Sequence, residues 1–423
     1  MRAACLILHR WFGLITALFL IVTGLTGAVI SWDHELDDWL NPHLTHTHSV
    51  GQALPPLELA AQVERRYPQL RVTSLPLLAE PGHALALFVQ PRVNPETQRL
   101  YEPGFNQIFI DPVTGTELGK RQWGAVWPVN RENFVSFLYK LHFSLHLPEM
   151  FGTDRWGIWL LGVIALIWTL DCLIAVVLTL PARRRGEAAA GKSYLRRWQP
   201  SWQIRRGAGT YKLNFDLHRA LSLWTWLLLL IVAFTAFSLN LRREVFIPVL
   251  TSLSSLTPTP FDQRPRTPKH QPVAPAIDLA TALAQGRAEA GRRGWEEPAA
   301  RVGYFQNFGI YGVEFHHPDA DHGVAGAGHK RLFFDALDGR YLGERVPWQG
   351  TAADLFVQAQ FPLHSGRILG LPGRILLSAM GLIVALLAVT GVYIWWKKRK
   401  ARMAFERRKE TTGECLRSHP EVA

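Results

Sequence analysis

The chain has 423 residues, 48% of them hydrophobic, and a formal net charge of +12. That length allows several domains, and the positive excess points to an anionic surface as a partner. Its three cysteines, Cys5, Cys172 and Cys415, leave residues 34–150 and 241–362 without any, which excludes a disulfide-held fold for those stretches.

In chain order, apolar residues concentrate in four blocks, Trp11 to Ile30, Trp156 to Leu180, Ala220 to Leu239 and Ile375 to Trp396. Each approaches the roughly 20 residues that cross a bilayer core about 30 Å thick, so the sequence predicts an integral membrane protein with four transmembrane helices. These spans are expected within residues 1–33, 141–180, 217–240 and 363–396. The first block keeps Trp and Phe and lacks a small-residue cleavage site before "WDHELDDWL", so it is read as a retained helix rather than a signal peptide. Lys and Arg crowd the connection 181–216 ("RRR", "LRRW", "IRR") and the tail 397–423 ("KKRKAR"), whereas the flank after the first block is acidic. The positive-inside rule then puts both termini and the middle connection in the cytoplasm. No stacking aromatics or recognition helix accompanies the basic runs, so the lipid bilayer, not nucleic acid, accounts for them.

Segments 34–140 and 241–362 are expected outside. Their sequences repeat: "IFIDPVTGTELGKR" (108–121) matches "LFFDALDGRYLGER" (332–345) with no internal shift, placing Asp111 over Asp335, Gly115 over Gly339 and Gly119 over Gly343. Ahead of each match come a helical pattern, "LELAAQVERRYP" or "IDLATALAQGRAEAG", and a short strand-like run, "HALALFVQ" or "YGVEFHH". Each outer domain is expected to be α+β, a helix on a small antiparallel sheet, with Asp-x-x-x-Gly closing the last hairpin. The whole chain reads as an internal two-fold repeat of helix, outer domain, helix.

The repeat turns isolated histidines into matched ones. His9 lies over His218, each within "LHR" at the cytoplasmic mouth of an outward-running block, and His142 in "KLHFSLHLP" lies near His364 in "FPLHSGRILG" at the outer depth. Polar groups at membrane depth are costly and tend to mark function. Two imidazoles facing each other across a helical bundle are what six-coordinate haem iron requires. Zinc needs three or four donors around one point, and such neighbours are missing from these segments. The expectation is two haems, one held by His9 and His218 and one by His142 and His364. His146 stands one helical turn beyond His142 and is an alternative ligand. His34, about 37 Å along an ideal helix from His9, is a further outer candidate. Gly13, Gly24, Gly27, Gly162, Gly381 and Gly391 would admit a flat macrocycle or tight helix packing. Arg10, Arg219, Arg155 and Arg374 flank the sites, as partners for propionates or as headgroup anchors.

Two further tracts, "HLTHTH" (His43, His46, His48) and "EFHHPDADHG" (His316, His317, His322), have a composition that can bind metals. Their spacing matches no closed zinc site, and the expectation is hydrated loop histidines. There is no phosphate loop, dinucleotide fingerprint or nucleophile elbow, so an electron donor must come from elsewhere.

Nearly the whole chain before about Arg402 resembles the PepSY-associated transmembrane family of iron-regulated inner-membrane proteins and siderophore reductases. The resemblance rests on "LHRWFGL", "TGLTGAVISWDHELDDWLNP", "LHFSLHLP", "GIWLLGVIALIW", "DLHRALSLW" and "PLHSGRILGLPGRILLSAMGLIVALLAVTGVYIWW". The outer repeats resemble PepSY modules. "LHRALSLW" departs from a glycine that commonly follows the second leucine, and "FGTDRWG" is a loose version of the usual "GRW". The resemblance implies a multi-pass protein of the bacterial inner membrane carrying haem b, in which His9, His142, His218 and His364 fall where the family keeps its membrane histidines. It further implies reduction of a ferric siderophore or other ferric chelate at the periplasmic face, fed by a cytoplasmic or quinol electron donor. Two other classes are a non-enzymatic PepSY binding or regulatory protein and a siderophore permease component. The permease is disfavoured by the scarcity of intramembrane charge, to which Asp171 is the exception.

Overall fold

The computed structural model describes residues 1–181, 193–207, 209–318 and 322–418, with side chains up to residue 407. The "RRR" of the basic connection and part of "PDAD" lie outside the described residues. The chain starts with helices α1 (Arg2–Ile30), α2 (Asp33–Leu40), α3 (Pro42–Thr45) and α4 (Pro56–Arg66). Strands β1 (Leu70–Pro76), β2 (Leu85–Pro91), β3 (Gln107–Ile110) and β4 (Glu117–Arg121) follow. Next come α5 (Phe134–Ser144), α6 (Trp156–Thr179), α7 (Tyr194–Trp198), α8 (Thr210–Trp224), α9 (Trp226–Asn240) and α10 (Ile247–Leu253). The remainder is α11 (Leu279–Arg292), β5 (Ala299–Phe305), β6 (Ile310–Phe315), β7 (Lys330–Asp335), β8 (Tyr341–Arg345), α12 (Ala352–Ser365) and α13 (Leu371–Ser418). These elements form two compact units, one of residues 1–31, 141–246 and 375 onward, the other of residues 32–140 and 247–374.

The first unit is helical. Three of its helices, Arg2–Ile30, Trp156–Thr179 and the stretch Leu371–Arg407 of α13, are long and apolar enough to cross a membrane. Where one continuous third span is expected, α8 and α9 meet at a bend of 73°, so the count is three, or four if the bent pair is one span. The break falls at Thr225, whose hydroxyl donates to the Leu221 carbonyl at 2.7 Å, while the Trp226 indole N–H leaves its own helix to donate to the Cys172 carbonyl at 2.9 Å. Side-chain insertion of this kind into the backbone ladder is a usual cause of helix bends. The second expected span is also divided. Helix α5 ends at Ser144, because Leu145 and His146 take positive φ (52° and 53°), and α6 begins only at Trp156.

The second unit is built on one antiparallel sheet in the order β4-β3-β2-β1-β5-β6-β7-β8. Segments 34–140 and 241–362 each contribute four strands and a helix, but instead of forming separate sheets the two halves meet edge to edge through Ser74↔Gly303, Leu75↔Val302 and Pro76↔Arg301. One apolar core serves both: Leu59 and Val63 of α4 and Ala282 and Leu283 of α11 pack with Leu70, Leu87, Val302 and Leu332 of the strands. Burying such side chains contributes about 1.5–3 kcal/mol each, which favours a shared core over two thin ones. The outermost strands, β4 with "ELGKR" and β8 with "YLGER", carry charges that discourage further strand pairing.

The two hairpin turns are built alike but charged differently. Gly115 and Gly339 take positive φ (72° and 77°), and Asp111 and Asp335 stand at the head of each turn, both 3% exposed. Asp335 is paired with Arg264, whereas Asp111 accepts from the hydroxyls of Ser49 and Thr47 and from the Val113 N–H at 2.8 Å. Burial raises the Asp111 pKa, but the Ser49, Thr47, Val113 and Thr114 hydrogen bonds outweigh it and hold the carboxyl at about 2. Because the folded value lies below that of the unfolded chain, the stabilisation, on the order of 2 kcal/mol, is present above about pH 4 and is lost as pH falls through about 2. Asp111→Ala is therefore expected to lower the unfolding midpoint of the sheet unit at pH 7, with the gap from the parent closing between pH 4 and pH 2. Thermal melts across that range check it, and a gap as wide at pH 2 as at pH 7 would refute the assignment.

Candidate functional site

The helical unit brings His9 of α1 and His218 of α8 to a ring-centroid separation of 6.1 Å. The Nδ1 of His9 is 2.9 Å from the Asp171 carboxylate of α6, and the Nδ1 of His218 is 3.1 Å from the Leu387 carbonyl of α13. Both partners are acceptors, so each Nδ1 is the donating nitrogen, and in the neutral ring Nε2 is the one with the lone pair. Among the described residues, neither Nε2 is engaged in a hydrogen bond. This is the arrangement of a metal-ligating histidine, in which the far nitrogen is tied to a carboxylate or carbonyl and the near one is left for the metal.

The donor set distinguishes between metals. Asp171 is turned to the far side of His9, and the one cluster of three convergent metal-type donors among the described residues lies in the other unit. A tetrahedral zinc site is therefore not built here. A metal bound through two imidazole nitrogens at about 2 Å each sets the ring centroids about 6 Å apart, close to the 6.1 Å found. The residues present fit a bis-imidazole iron such as that of haem.

His142 and His218 rest on the same local seat. The Thr390 hydroxyl donates to Leu386 O at 2.8 Å and its oxygen lies 3.1 Å from His218 Nδ1. In the same way, the Thr26 hydroxyl donates to Val22 O at 2.7 Å and its oxygen lies 3.1 Å from His142 Nδ1. With the hydroxyl proton committed along its own helix, each threonine oxygen accepts from the imidazole N–H. The following glycine leaves the room: a Cβ at Gly27 would lie 2.9 Å from His142 Cε1, and one at Gly391 would lie 3.2 Å from His218 Cε1.

The other candidates fall as follows. His142 is on α5 and His364 in the last turn of α12, so each stands on a short helix ahead of a long apolar one rather than within it. His142 belongs to the helical unit and His364, half-buried, to the sheet unit. The expectation that His146 follows His142 on one helical face is corrected, because the positive φ values at Leu145 and His146 turn the chain out of the helix. His34, on α2, has a side chain 66% exposed and a ring 5.2 Å from His322.

The arginines already hold partners. Arg219 pairs with Asp216 (3.1 Å), Arg155 with Glu244 (2.8 Å) and Arg374 with Glu35 (2.7 Å), while exposed Arg10 covers the Trp11 ring at 5.3 Å. The glycines divide by what they touch. Gly27 and Gly391 make room for imidazoles, Gly24 and Gly381 press on each other, Gly162 meets Leu241, and Gly13 has open space. Sequence reasoning missed Thr26 and Thr390 and gave Asp171 no role beside His9. The recurring "TG" dipeptides, Thr26-Gly27 and Thr390-Gly391, were the available signal.

A multi-pass helical unit with part-buried, hydrogen-bonded histidines, joined in one chain to an antiparallel sheet unit, defines an integral membrane protein. The chain belongs to the family described as the PepSY-associated TM region, whose model matches residues 6–398. No curated protein matches it.

Proposed function

We propose that this chain is an electron-transfer protein of the bacterial inner membrane, binding two b-type haems and reducing a ferric siderophore or similar ferric chelate at the outer face. The observation that carries the reading is the pair His9 and His218, 6.1 Å apart with both Nδ1 atoms occupied by acceptors. Haem, when bound, supplies reversible one-electron transfer. The residues would supply the hold: His9 and His218 would ligate one haem and His142 would serve the second, with Asp171 fixing the His9 tautomer and Thr26 and Thr390 those of His142 and His218. One electron converts chelated Fe(III) to Fe(II), which hard oxygen donors hold far less tightly, so the metal leaves the chelate. A cytoplasmic or quinol donor provides the electron. The permease alternative loses its main support, since Asp171 already pairs with His9.

Purified full-length protein is expected to show a Soret band and a pyridine haemochrome equivalent to two haems per chain, oxidised by a ferric hydroxamate. Protein with neither signal, after expression with haem synthesis intact, would leave only the binding-module reading.

A further inference from the structure

The sheet unit contains a second, separate cluster. One donor atom from each of Asp38, His46 and His83 lies within 4.8 Å of the others. We propose that these three residues bind a divalent first-row transition-metal ion. The inference does not rest on the haem reading.

The cluster is held by backbone, not by flexible side chains meeting by chance. His46 and His83 face each other in an antiparallel bridge, flanked by Thr47 N–H to Gly82 O (2.9 Å) and Ala84 N–H to Thr45 O (2.8 Å). Asp38 comes from α2, which is fixed to β4 by the Asp37 carboxylate on Arg121 at 2.6 Å, with the Arg121 side chain only 3% exposed. The donors therefore converge before any ion arrives, and little ordering entropy opposes binding.

The geometry also fits. His46 Nε2 is 3.0 Å from the Asp38 carboxylate, and the two rings are 4.8 Å apart and nearly perpendicular. Nitrogen and oxygen donors bound at about 2 Å sit roughly 3 Å from one another, so the His46–Asp38 pair already has that spacing and the His83 donor, within 4.8 Å of both, has only to close on it. Two imidazoles and one carboxylate suit borderline divalent ions, with Cu²⁺ and Zn²⁺ ahead of Co²⁺ and Fe²⁺, rather than Mg²⁺ or Ca²⁺. Both the His46 and the Asp38 side chain are 40% exposed, which leaves open positions for water or for a donor of an incoming ligand.

The test uses tag-free full-length protein, stripped with chelator and titrated with Zn²⁺ by calorimetry, and with Co²⁺ by its visible absorption. Parent protein is expected to take up one equivalent of each. His83→Gln and Asp38→Asn are expected to weaken that equivalent by more than the about 10–100-fold typical of outer-sphere changes, with unchanged thermal midpoints. His43→Ala, whose histidine pairs with Glu132 instead, serves as the control and is expected to bind like the parent. Parent protein that takes up no equivalent, or a His83→Gln variant of parental midpoint that binds as tightly as the parent, would overturn the proposal.

Discussion

His218→Ala is expected to lower the haem content from two equivalents per chain to one, with the Soret absorbance falling by about half. The ring sits between α8 and α13, its Nδ1 anchored to Leu387 O and Thr390, and among the described residues it is the imidazole recorded against the His9 ring. His9→Ala is expected to remove the same equivalent, and the double variant no more than either single one, because both act on one iron. Asp171→Asn separates positioning from ligation. It keeps the shape of the side chain but removes the charge facing His9 Nδ1, so retention is expected to weaken by about 10–100-fold. A less electron-rich imidazole also favours Fe(II), so the midpoint potential of the remaining haem is expected to rise. Haemochrome assays and redox titration read both. A double variant that loses two equivalents, or an Asp171→Asn protein of parental potential, would sink this account.

The second large effect is expected at Gly381. A Cβ at Gly24 would stand 2.6 Å from the Gly381 carbonyl oxygen, and Gly381 meets the Gly24 backbone just as closely, so α1 and α13 touch main chain to main chain. Ser378 reinforces the crossing with a hydroxyl bond to Ala28 O at 3.2 Å, and Met380 and Val384 pack beside it with Leu20. No rotamer relieves a clash with backbone on both sides, so Gly381→Leu must part the helices, at a cost near the upper end of the about 1–3 kcal/mol of overpacking. The thermal midpoint of the helical unit is expected to drop by several degrees, with Gly381→Ala falling less. Haem is expected to be lost with the Leu variant, since α1 carries both His9 and the Thr26-Gly27 seat while α13 carries Thr390-Gly391. Equal midpoints for the parent and the Leu variant would show that this crossing does not bear on stability.

Much of the molecule was legible because it is written in short-range pattern. Apolar runs of bilayer length gave the long helices α1, α6 and α13, since hydrophobic partition is summed along one segment, but only α6 closely in extent: α1 begins at Arg2, ahead of the Trp11 run, and α13 continues past Trp396 into the basic tail. Alternation and the Asp-x-x-x-Gly turns gave the hairpins of β3 with β4 and β7 with β8, because a turn is decided by four or five adjacent residues. The doubled "LHR" singled out His9 and His218, and only a comparison of distant segments was needed to set them side by side.

By itself, then, the sequence determined which segments are apolar, which turn, and which histidines correspond, all properties that neighbouring residues settle among themselves. Only the tertiary structure decided which nitrogen of each ring is committed, because the acceptors Asp171, Leu387 and Thr26 come from helices far away in the chain. It alone joined two four-stranded halves through β1 and β5 into one sheet over one core, since edge pairing depends on where the helices place the free strands. It alone set His83 against His46 and Asp38, a convergence produced by a backbone bridge between loops whose separate spacings carry no metal motif. The bend at Thr225 belongs to the same class, as it depends on a tryptophan reaching a carbonyl of another helix.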